Sequence, residues 1–206
     1  MNSVIFPGQG SQIVGMGKEF FDKHNVVKNL FTKADDILGF NLSKIILNGP
    51  KQELDFTENT QPAIFLISYS IFKVIKEEFN IDLNKAKYFA GHSLGEYSAL
   101  SCAGYLDFNE TIKLLRVRGK AMQDSVPKGE GGMLAILGSK IEDIEEILNN
   151  NSDSFKAEIA NDNSNVQLVL SGKIKDLELI NDFLNLINLK GLYPNLASLN
   201  NCNLFL

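Results

Sequence analysis

Cysteine is scarce in this chain of 206 residues, which contains only Cys102 and Cys202. Two cysteines cannot build a disulfide framework, and their positions match no metal-ligand spacing. The sequence also lacks a cluster of potential metal ligands and a dinucleotide-binding fingerprint, so neither a metal nor a redox cofactor is expected. This cysteine usage is typical of a protein of the reducing cytosol.

Long apolar runs and an excess of basic residues are also missing. The hydrophobic stretches are broken by Lys, Glu or Asn before they reach the roughly 18 residues that a membrane span needs. Residues 1–12 have neither the basic start nor the apolar centre of a secretory signal. The net charge is −5, from 20 Lys and Arg against 25 Asp and Glu, so a basic face for nucleic acid is not expected. We predict a soluble, cytoplasmic protein without a membrane or nucleic-acid partner.

The first part of the chain reads as strands that alternate with covering helices. A short β-branched and aromatic run is closed by Pro7-Gly8-Gln9-Gly10, which indicates a buried strand that ends in a tight loop. Apolar residues at helical spacing predict the helices, and the one containing Pro62 is expected to start just before this proline, because proline is tolerated in a first turn. The predicted strands are 4–6 and 87–90, and the predicted helices are 17–38, 41–47, 60–79, 96–103 and 109–124.

A glycine-rich stretch near residue 130 is the predicted domain boundary. Beyond it the pattern is strand 133–137, helix 141–149, strands 155–159 and 166–170, and helix 175–188. This β-α-β-β-α order is most of a ferredoxin-like unit, which one more strand would close. The predicted domains are therefore 1–128, a large α/β subdomain, 129–190, a small ferredoxin-like subdomain, and 191–206, an Asn- and Leu-rich tail without clear periodicity.

The segment Gly91-His92-Ser93-Leu94-Gly95 fits the G-x-S-x-G pattern of a nucleophile elbow. A strand is predicted before it and a helix after it, which is the context that such an elbow requires. Ser93 is therefore the predicted catalytic nucleophile. The N-terminal end of the following helix would stabilise an anion at its oxygen, and the N–H of Leu94 is the expected oxyanion donor.

Four motifs in order resemble the malonyl-CoA:acyl carrier protein transacylase family. They are FPGQGSQ at 6–12, TQPA at 60–63, GHSLGEYSAL at 91–100 and RGKAMQ at 118–123. The similarity extends from residue 4 to about residue 172, and four motifs together are far more specific than any one of them. The resulting expectation is an α/β fold, with an incomplete α/β-hydrolase-like large subdomain and an inserted ferredoxin-like small subdomain.

The resemblance implies a ping-pong transfer in fatty-acid biosynthesis, with malonyl-CoA and acyl carrier protein as partners and no cofactor. Ser93 would take the malonyl group as an ester, and the pantetheine thiol of the carrier protein would remove it. Gln9 corresponds to the residue whose backbone N–H is the second oxyanion donor. Arg118 corresponds to the arginine that binds the free malonyl carboxylate, a task suited to a planar guanidinium. Gln61 and Asn163 correspond to residues beside the site.

The sequence departs from the family after the small subdomain. The family carries a general-base histidine in a later segment, whereas no histidine follows His92 here. The Ser–His pair is therefore not expected within this chain. The hypothesis at this point is a premature end near residue 190, with unpaired strand edges, exposed apolar faces and impaired activity.

Two other functions are compatible with the same residues. A serine esterase or thioesterase would use the elbow but would need a downstream histidine, and it would have no use for a carboxylate-binding Arg118. A non-catalytic remnant could bind carrier protein or coenzyme A. His92 is expected to point away from Ser93, Arg116 to face away from the site, and His24 to be a surface residue.

Overall fold

The structure is a computed structural model that describes residues 2–125 and 130–187. In it the chain divides after Lys120 into two compact units, and the division falls within a helix. The predicted boundary at 128/129 and the predicted tail from 191 fall on residues that lie outside the described ranges. Each unit mixes helices and strands, so the predicted α/β class is confirmed.

The first unit begins with strand β1, and strand β2 lies beside it in parallel with Phe6 opposite Gly91. Between the two strands the chain forms five α-helices and a short 3-10 helix at Leu83–Lys85, and two more α-helices follow β2. The strands are β1 Ser3–Phe6 and β2 Tyr88–Gly91, and the helices are α1 Lys18–Lys23, α2 Asn25–Leu38, α3 Leu42–Asn48, α4 Lys51–Asp55, α5 Thr57–Glu77, α6 Leu94–Cys102 and α7 Phe108–Asp124.

The core of the first unit lies among its helices. Helix α5 is its centre, because Ala63, Phe65 and Leu66 have no exposed surface and pack against α2, α3 and α7. A smaller cluster of Phe6, Phe72, Ala99 and Cys102 joins β1 to α5 and α6. Parallel sheets are normally covered on both faces. Among the described residues β1 pairs only with β2, and Ile5 and Tyr88 keep 76% and 54% of their surface exposed.

The second unit packs two helices on a three-stranded antiparallel sheet of order β3-β5-β4. Its elements are β3 Gly131–Leu137, α8 Ile141–Asn150, β4 Ala157–Ser164, β5 Gln167–Lys173 and α9 Ile174–Leu186. Alternate residues of β3 and β5, such as Leu134 and Leu170, face α8 and α9 and are fully buried. The predicted β-α-β-β-α order is confirmed for the described residues.

The structure corrects three predicted boundaries. Helix α5 begins at Thr57, so Pro62 lies inside the helix rather than in its first turn. This earlier start is stabilised by the Thr60 hydroxyl, which donates to the carbonyls of Leu54 and Phe56. The helix predicted over 17–38 is two helices, since His24 is extended and bonds Glu78 at 2.5 Å. Strand β4 continues through polar residues to Ser164, because backbone pairing with β5 needs no apolar side chains.

Candidate active site

Ser93 lies in the sharp turn between strand β2 and helix α6. Its backbone has φ 55° and ψ −114°, in a region that residues with a Cβ rarely occupy. The strain is maintained by hydrogen bonds on both sides of the turn, from His92 N–H to the Phe6 carbonyl at 3.3 Å and from Glu96 N–H to the Ser93 carbonyl at 3.0 Å. The strand, turn and helix that the G-x-S-x-G pattern requires are therefore all present.

The two glycines of this motif are required by close backbone approach. A Cβ on Gly91 would lie 2.0 Å from the carbonyl carbon and oxygen of Gly95. A Cβ on Gly95 would lie 2.6 Å from the carbonyl oxygen of Phe6. Any side chain at either position would separate α6 from the two strands, so the glycines allow Ser93 to stand at the end of the sheet.

Arg118, on helix α7, contacts the Ser93 side chain directly. Its Nη2 donates to Ser93 Oγ at 3.1 Å, and its Nη1 donates to Oε1 of the buried Gln61 at 2.7 Å. The Tyr97 ring stacks beside the guanidinium, with 5.6 Å from Cζ to the ring centre. A fixed positive charge thus lies next to the hydroxyl oxygen, where it favours a developing alkoxide or an anionic substrate group.

The loop after β1 places Gln9 at the same end of the sheet as Ser93. Phe6 and Gly91 are opposite each other, so the loops that follow them leave the sheet side by side. Gly8 lies against the elbow, since a Cβ there would be 2.8 Å from the carbonyl oxygen and Nδ1 of His92. The Gln9 side chain donates to Thr57 Oγ1 at 3.1 Å, which ties this loop to the start of α5.

Leu94 is the first residue of α6, and its side chain is fully buried. The N–H groups in the first turn of a helix have no acceptor within the helix. The N–H of Leu94 is one of these groups, and the Leu94 side chain anchors the elbow in the core. Its role as an oxyanion donor stays a prediction. The structure brings Ser93, Leu94, Gln9, Gln61 and Arg118 to one end of the first unit.

Other residues considered in the sequence lie elsewhere. Arg116 binds Glu58 at 3.1 Å and also contacts Asn59, so it joins α7 to α5. His24 is held by Glu78 at 2.5 Å. Asn163 belongs to β4 of the second unit, where its side-chain amide donates to Gln167 at 3.2 Å. Burial raises the pKa of the Cys102 thiol to about 12.

The structure adds residues that the sequence analysis missed. Tyr97 stands one helical turn after Ser93 on α6, so helical spacing from the elbow could have identified it. Thr57, which holds the Gln9 side chain, had no signal in the sequence because the two residues are 48 positions apart.

The described residues, 2–125 and 130–187, contain neither a metal-ligand cluster nor a membrane-spanning helix. Within these ranges no group of three or more His, Cys, Asp or Glu side chains could hold a metal ion. None of the helices in these ranges combines the length and the apolar character of a membrane span.

Residues 4–182 match the family model of the acyl transferase domain. The chain belongs to this family. Among curated relatives it is 44% identical over 173 residues to the malonyl CoA-acyl carrier protein transacylase of Haemophilus influenzae, an alignment that covers 82% of this chain and 54% of the relative. The Bacillus subtilis protein of the same name is 41% identical over 180 residues, covering 86% of this chain and 55% of that protein. The acyltransferase resemblance found in the sequence motifs is confirmed.

Solved structures of the same family have the same fold. The acyl-carrier-protein-S-malonyltransferase of Bartonella henselae superposes with a TM-score of 0.84 at 40% identity, covering 91% of this chain and 60% of that one. A malonyl-transacylase in complex with its type II PKS acyl-carrier protein superposes with a TM-score of 0.81 at 38% identity, covering 92% of this chain and 60% of that one. The chain spans about half the length of the curated relatives it matches.

Proposed function

We propose that this acyltransferase moves a malonyl group from malonyl-CoA to the pantetheine thiol of acyl carrier protein, through a malonyl ester on Ser93, in fatty-acid biosynthesis. The hydrogen bond of 3.1 Å between Arg118 Nη2 and Ser93 Oγ carries the proposal. A malonyl thioester has a carbonyl carbon for the serine and a free carboxylate for the guanidinium. The relatives' names support the same substrates.

The reaction divides into two half-reactions at Ser93. In the first, Ser93 Oγ attacks the thioester carbon, the carbonyl oxygen becomes an oxyanion, and its collapse expels the coenzyme A thiolate. The backbone N–H groups of Leu94 and Gln9 are the proposed donors to that oxyanion. In the second, the pantetheine thiol attacks the malonyl ester and Ser93 leaves. The proton that Ser93 loses in the first half-reaction ends on the coenzyme A thiol, and the proton of the pantetheine thiol ends on Ser93 Oγ in the second.

Arg118 is the proposed determinant of acyl choice. It already donates to Gln61 through Nη1, and this bond fixes the plane of the guanidinium. The guanidinium is therefore already oriented before the substrate carboxylate binds. This reduces the side-chain entropy that Arg118 loses on binding. Acetyl groups offer Arg118 no carboxylate, so they gain only from its contact with Ser93 Oγ.

The reaction needs a base that accepts the proton of Ser93, and we assign none within these 206 residues. The chain has two histidines. His24 is bonded to Glu78, and His92 packs against Gly8. We do not assign either as the base that the family provides from a later segment. We therefore infer that this polypeptide, taken alone, is acylated slowly.

The finer description of the fold is also a proposal. An α/β-hydrolase-like first unit is supported by the parallel pairing of β1 and β2 and by the elbow after β2. A ferredoxin-like second unit is supported by the sheet order β3-β5-β4, because a split β-α-β arrangement places the third strand between the first two. A cytoplasmic location remains a prediction from the sequence.

The test is the mass of the intact chain after incubation with malonyl-CoA or acetyl-CoA. We expect a malonyl adduct that Ser93→Ala abolishes. Arg118→Ala should slow malonyl addition by roughly tenfold to a hundredfold, which corresponds to the loss of one or two charge-assisted hydrogen bonds. Acetyl addition should slow less, because it loses only the contact of Arg118 with Ser93 Oγ. Arg116→Ala is the matched control, since it removes an arginine of the same helix that binds Glu58 instead, and it should preserve the malonyl preference.

The other outcomes identify the competing functions. An acyl-enzyme that water hydrolyses in the absence of carrier protein, with no effect of Arg118→Ala, would point to a serine esterase or thioesterase. Binding of malonyl-CoA or carrier protein by a folded chain without any adduct would point to a non-catalytic binding domain.

A further inference from the structure

The loop that carries Gln9 is held by a relay of side chains from helix α4. The backbone N–H of Gly10 donates to Gln12 Oε1 at 2.8 Å. The other end of the same amide, Gln12 Nε2, donates to Asp55 Oδ1 at 3.0 Å. One glutamine side chain therefore connects the loop backbone to a carboxylate that is 43 positions away in the chain.

Asp55 is a buried acid at the end of α4. Its side chain is only 4% exposed, whereas that of its ion-pair partner Lys51 is 71% exposed. Moving a carboxylate out of water costs several kcal/mol unless hydrogen bonds and an opposite charge compensate it. Here Oδ2 accepts from the Lys51 ammonium and Oδ1 accepts from Gln12. The acid is thus kept in place by a surface lysine on one side and by the loop on the other.

The carboxylate determines which way the Gln12 amide points. An ionised acid only accepts hydrogen bonds, so it can face the NH₂ group of the amide but not its oxygen. With Nε2 toward Asp55, Oε1 must face the opposite way, toward Gly10 N–H. The relay therefore selects one of the two orientations of the amide and, through it, the orientation of the peptide between Gln9 and Gly10.

The preceding peptide is held as well. Ser11 Oγ donates to the Gly8 carbonyl at 2.9 Å. A trans peptide is planar, so its N–H points opposite to its carbonyl. Holding the Gly8 carbonyl in this way fixes the direction of the Gln9 N–H. Gly10 completes the turn with φ 105°, a value that other residues rarely adopt.

We propose that Asp55 and Gln12, together with Ser11, are positioning residues that aim the backbone N–H of Gln9 at the oxyanion. The inference rests on the proposed acyl transfer at Ser93. Oxyanion donors act on charge that exists only in the transition state. Loss of the relay should therefore slow acylation of Ser93 and leave the binding of malonyl-CoA unchanged.

The test measures two properties of the full chain beside the dissociation constant of malonyl-CoA. The first is the rate of p-nitrophenolate release from p-nitrophenyl acetate, an activated ester that makes small demands on a general base, with Ser93→Ala as the blank. The second is hydrogen exchange of the Gly10 amide, followed by NMR. We expect Gln12→Ala and Asp55→Ala to slow acylation about tenfold or more and to accelerate Gly10 exchange. The dissociation constant of malonyl-CoA should change less than twofold.

Two further variants separate positioning from general destabilisation. Asp55→Asn keeps the size of the side chain, but its NH₂ group can face Gln12 Oε1 while its oxygen accepts from Lys51, so the amide orientation is no longer selected and acylation should slow about as much as in Asp55→Ala. Asp35→Ala is the matched control, because Asp35 is another partly buried acid of the first unit that accepts from Ser43 at 2.9 Å, away from the loop. It should lower stability but preserve both the acylation rate and the Gly10 exchange.

The outcomes distinguish a failure of this inference from a failure of the proposed function. Wild-type acylation in Gln12→Ala and Asp55→Ala, or equal losses in Asp55→Ala and Asp35→Ala, would overturn the positioning role alone. Absence of any Ser93-dependent p-nitrophenolate release from the wild-type chain would overturn the acyl-transfer proposal and the inference that rests on it.

Discussion

Ser93 combines a nucleophilic side chain with a backbone conformation that is strained for every residue except glycine. Conformations of this kind cost about 1–3 kcal/mol and persist only where the surroundings impose them. Here Gly91, Gly95 and Phe6 bring three backbone segments together around the turn. The strain is thus a property of the elbow, and it should be measurable without any reference to activity.

Replacement of Ser93 by glycine should relieve this strain. Ser93→Gly and Ser93→Ala both lose the hydrogen bond to Arg118, so they differ only in the Cβ. After allowance for the greater freedom of glycine in the unfolded chain, we expect Ser93→Gly to be more stable than Ser93→Ala by about 1 kcal/mol. Urea unfolding of the two variants gives this difference, and a more stable alanine variant would contradict it.

Cys102 should make the stability of the fold depend on alkaline pH. Burial raises the pKa of its thiol from 9.0 to about 12. The unfolded chain then releases this proton at lower pH than the folded chain, so the contribution is full below about pH 9 and is lost as the pH rises toward 12. Between about pH 8.5 and pH 10 the loss should be about 1 kcal/mol.

The comparison that checks this uses Cys202→Ser as the background, so that only one thiol titrates. Urea unfolding of this variant and of Cys102→Ala/Cys202→Ser is measured across that pH range. The variant without Cys102 should show the smaller decrease. Parallel decreases would mean that the Cys102 thiolate forms as easily in the folded protein as in the unfolded one.

The sequence motifs identified the residues of the site better than the distant residues that hold them in place. Ser93, Leu94, Gln9 and Arg118 lie within contiguous motifs, whose spacing is visible in one dimension. Their supports come from far along the chain, as with Arg118 and Gln61, which are 57 positions apart. No local pattern encodes such pairs, so only the folded chain reveals that Thr57 or Asp55 holds the loop. The catalytic and binding roles themselves stay predictions.

At the scale of elements, the approach of α7 to α5 determines where Arg118 lies. Gly119, the residue after Arg118, is buried against α5, and a Cβ there would be 2.5 Å from the Thr57 carbonyl oxygen. The glycine therefore allows Arg118 to reach both Gln61 and Ser93.

Gly119→Ala should push the two helices apart. We expect it to lower the free energy of unfolding by about 1–3 kcal/mol and to slow malonylation of Ser93, since Arg118 moves with the helix. Lys120→Ala changes the adjacent, exposed position and should affect neither property. Calorimetry and the intact-mass assay measure the two effects. A Gly119→Ala variant of normal stability and rate would mean that α7 has room to adjust.

Element types were predictable here, whereas some element ends were not. Apolar periodicity located helices α5, α6 and α7 and the elements of the second unit, because their buried faces repeat regularly. The start of α5 and the break at His24 depend on single contacts, the Thr60 hydroxyl bonds and the His24–Glu78 pair. Contacts of this kind override local preference and leave no periodic trace.

In the molecule as a whole, the largest core of each unit shares no side chain with that of the other among the described residues. One is built around α5 of the first unit, and the other around β3, β5, α8 and α9 of the second. The cores differ in type, since the first is mostly helix against helix and the second is helices on a sheet. Substitutions in one core should therefore have little direct effect on the packing of the other.

Hydrogen exchange of the whole chain can test this separation. Leu170, in β5, is fully buried, and Leu170→Ala should cost about 2–5 kcal/mol in the second core. Amides of β3 and β5 should then exchange faster by a corresponding factor, while those of α5 keep their wild-type rates. Leu66→Ala is the reciprocal variant and should accelerate α5 amides alone. If either substitution accelerated exchange equally in α5 and in β3 and β5, the two cores would open as one cooperative unit. The division after Lys120 would then describe the geometry of the chain and not its stability.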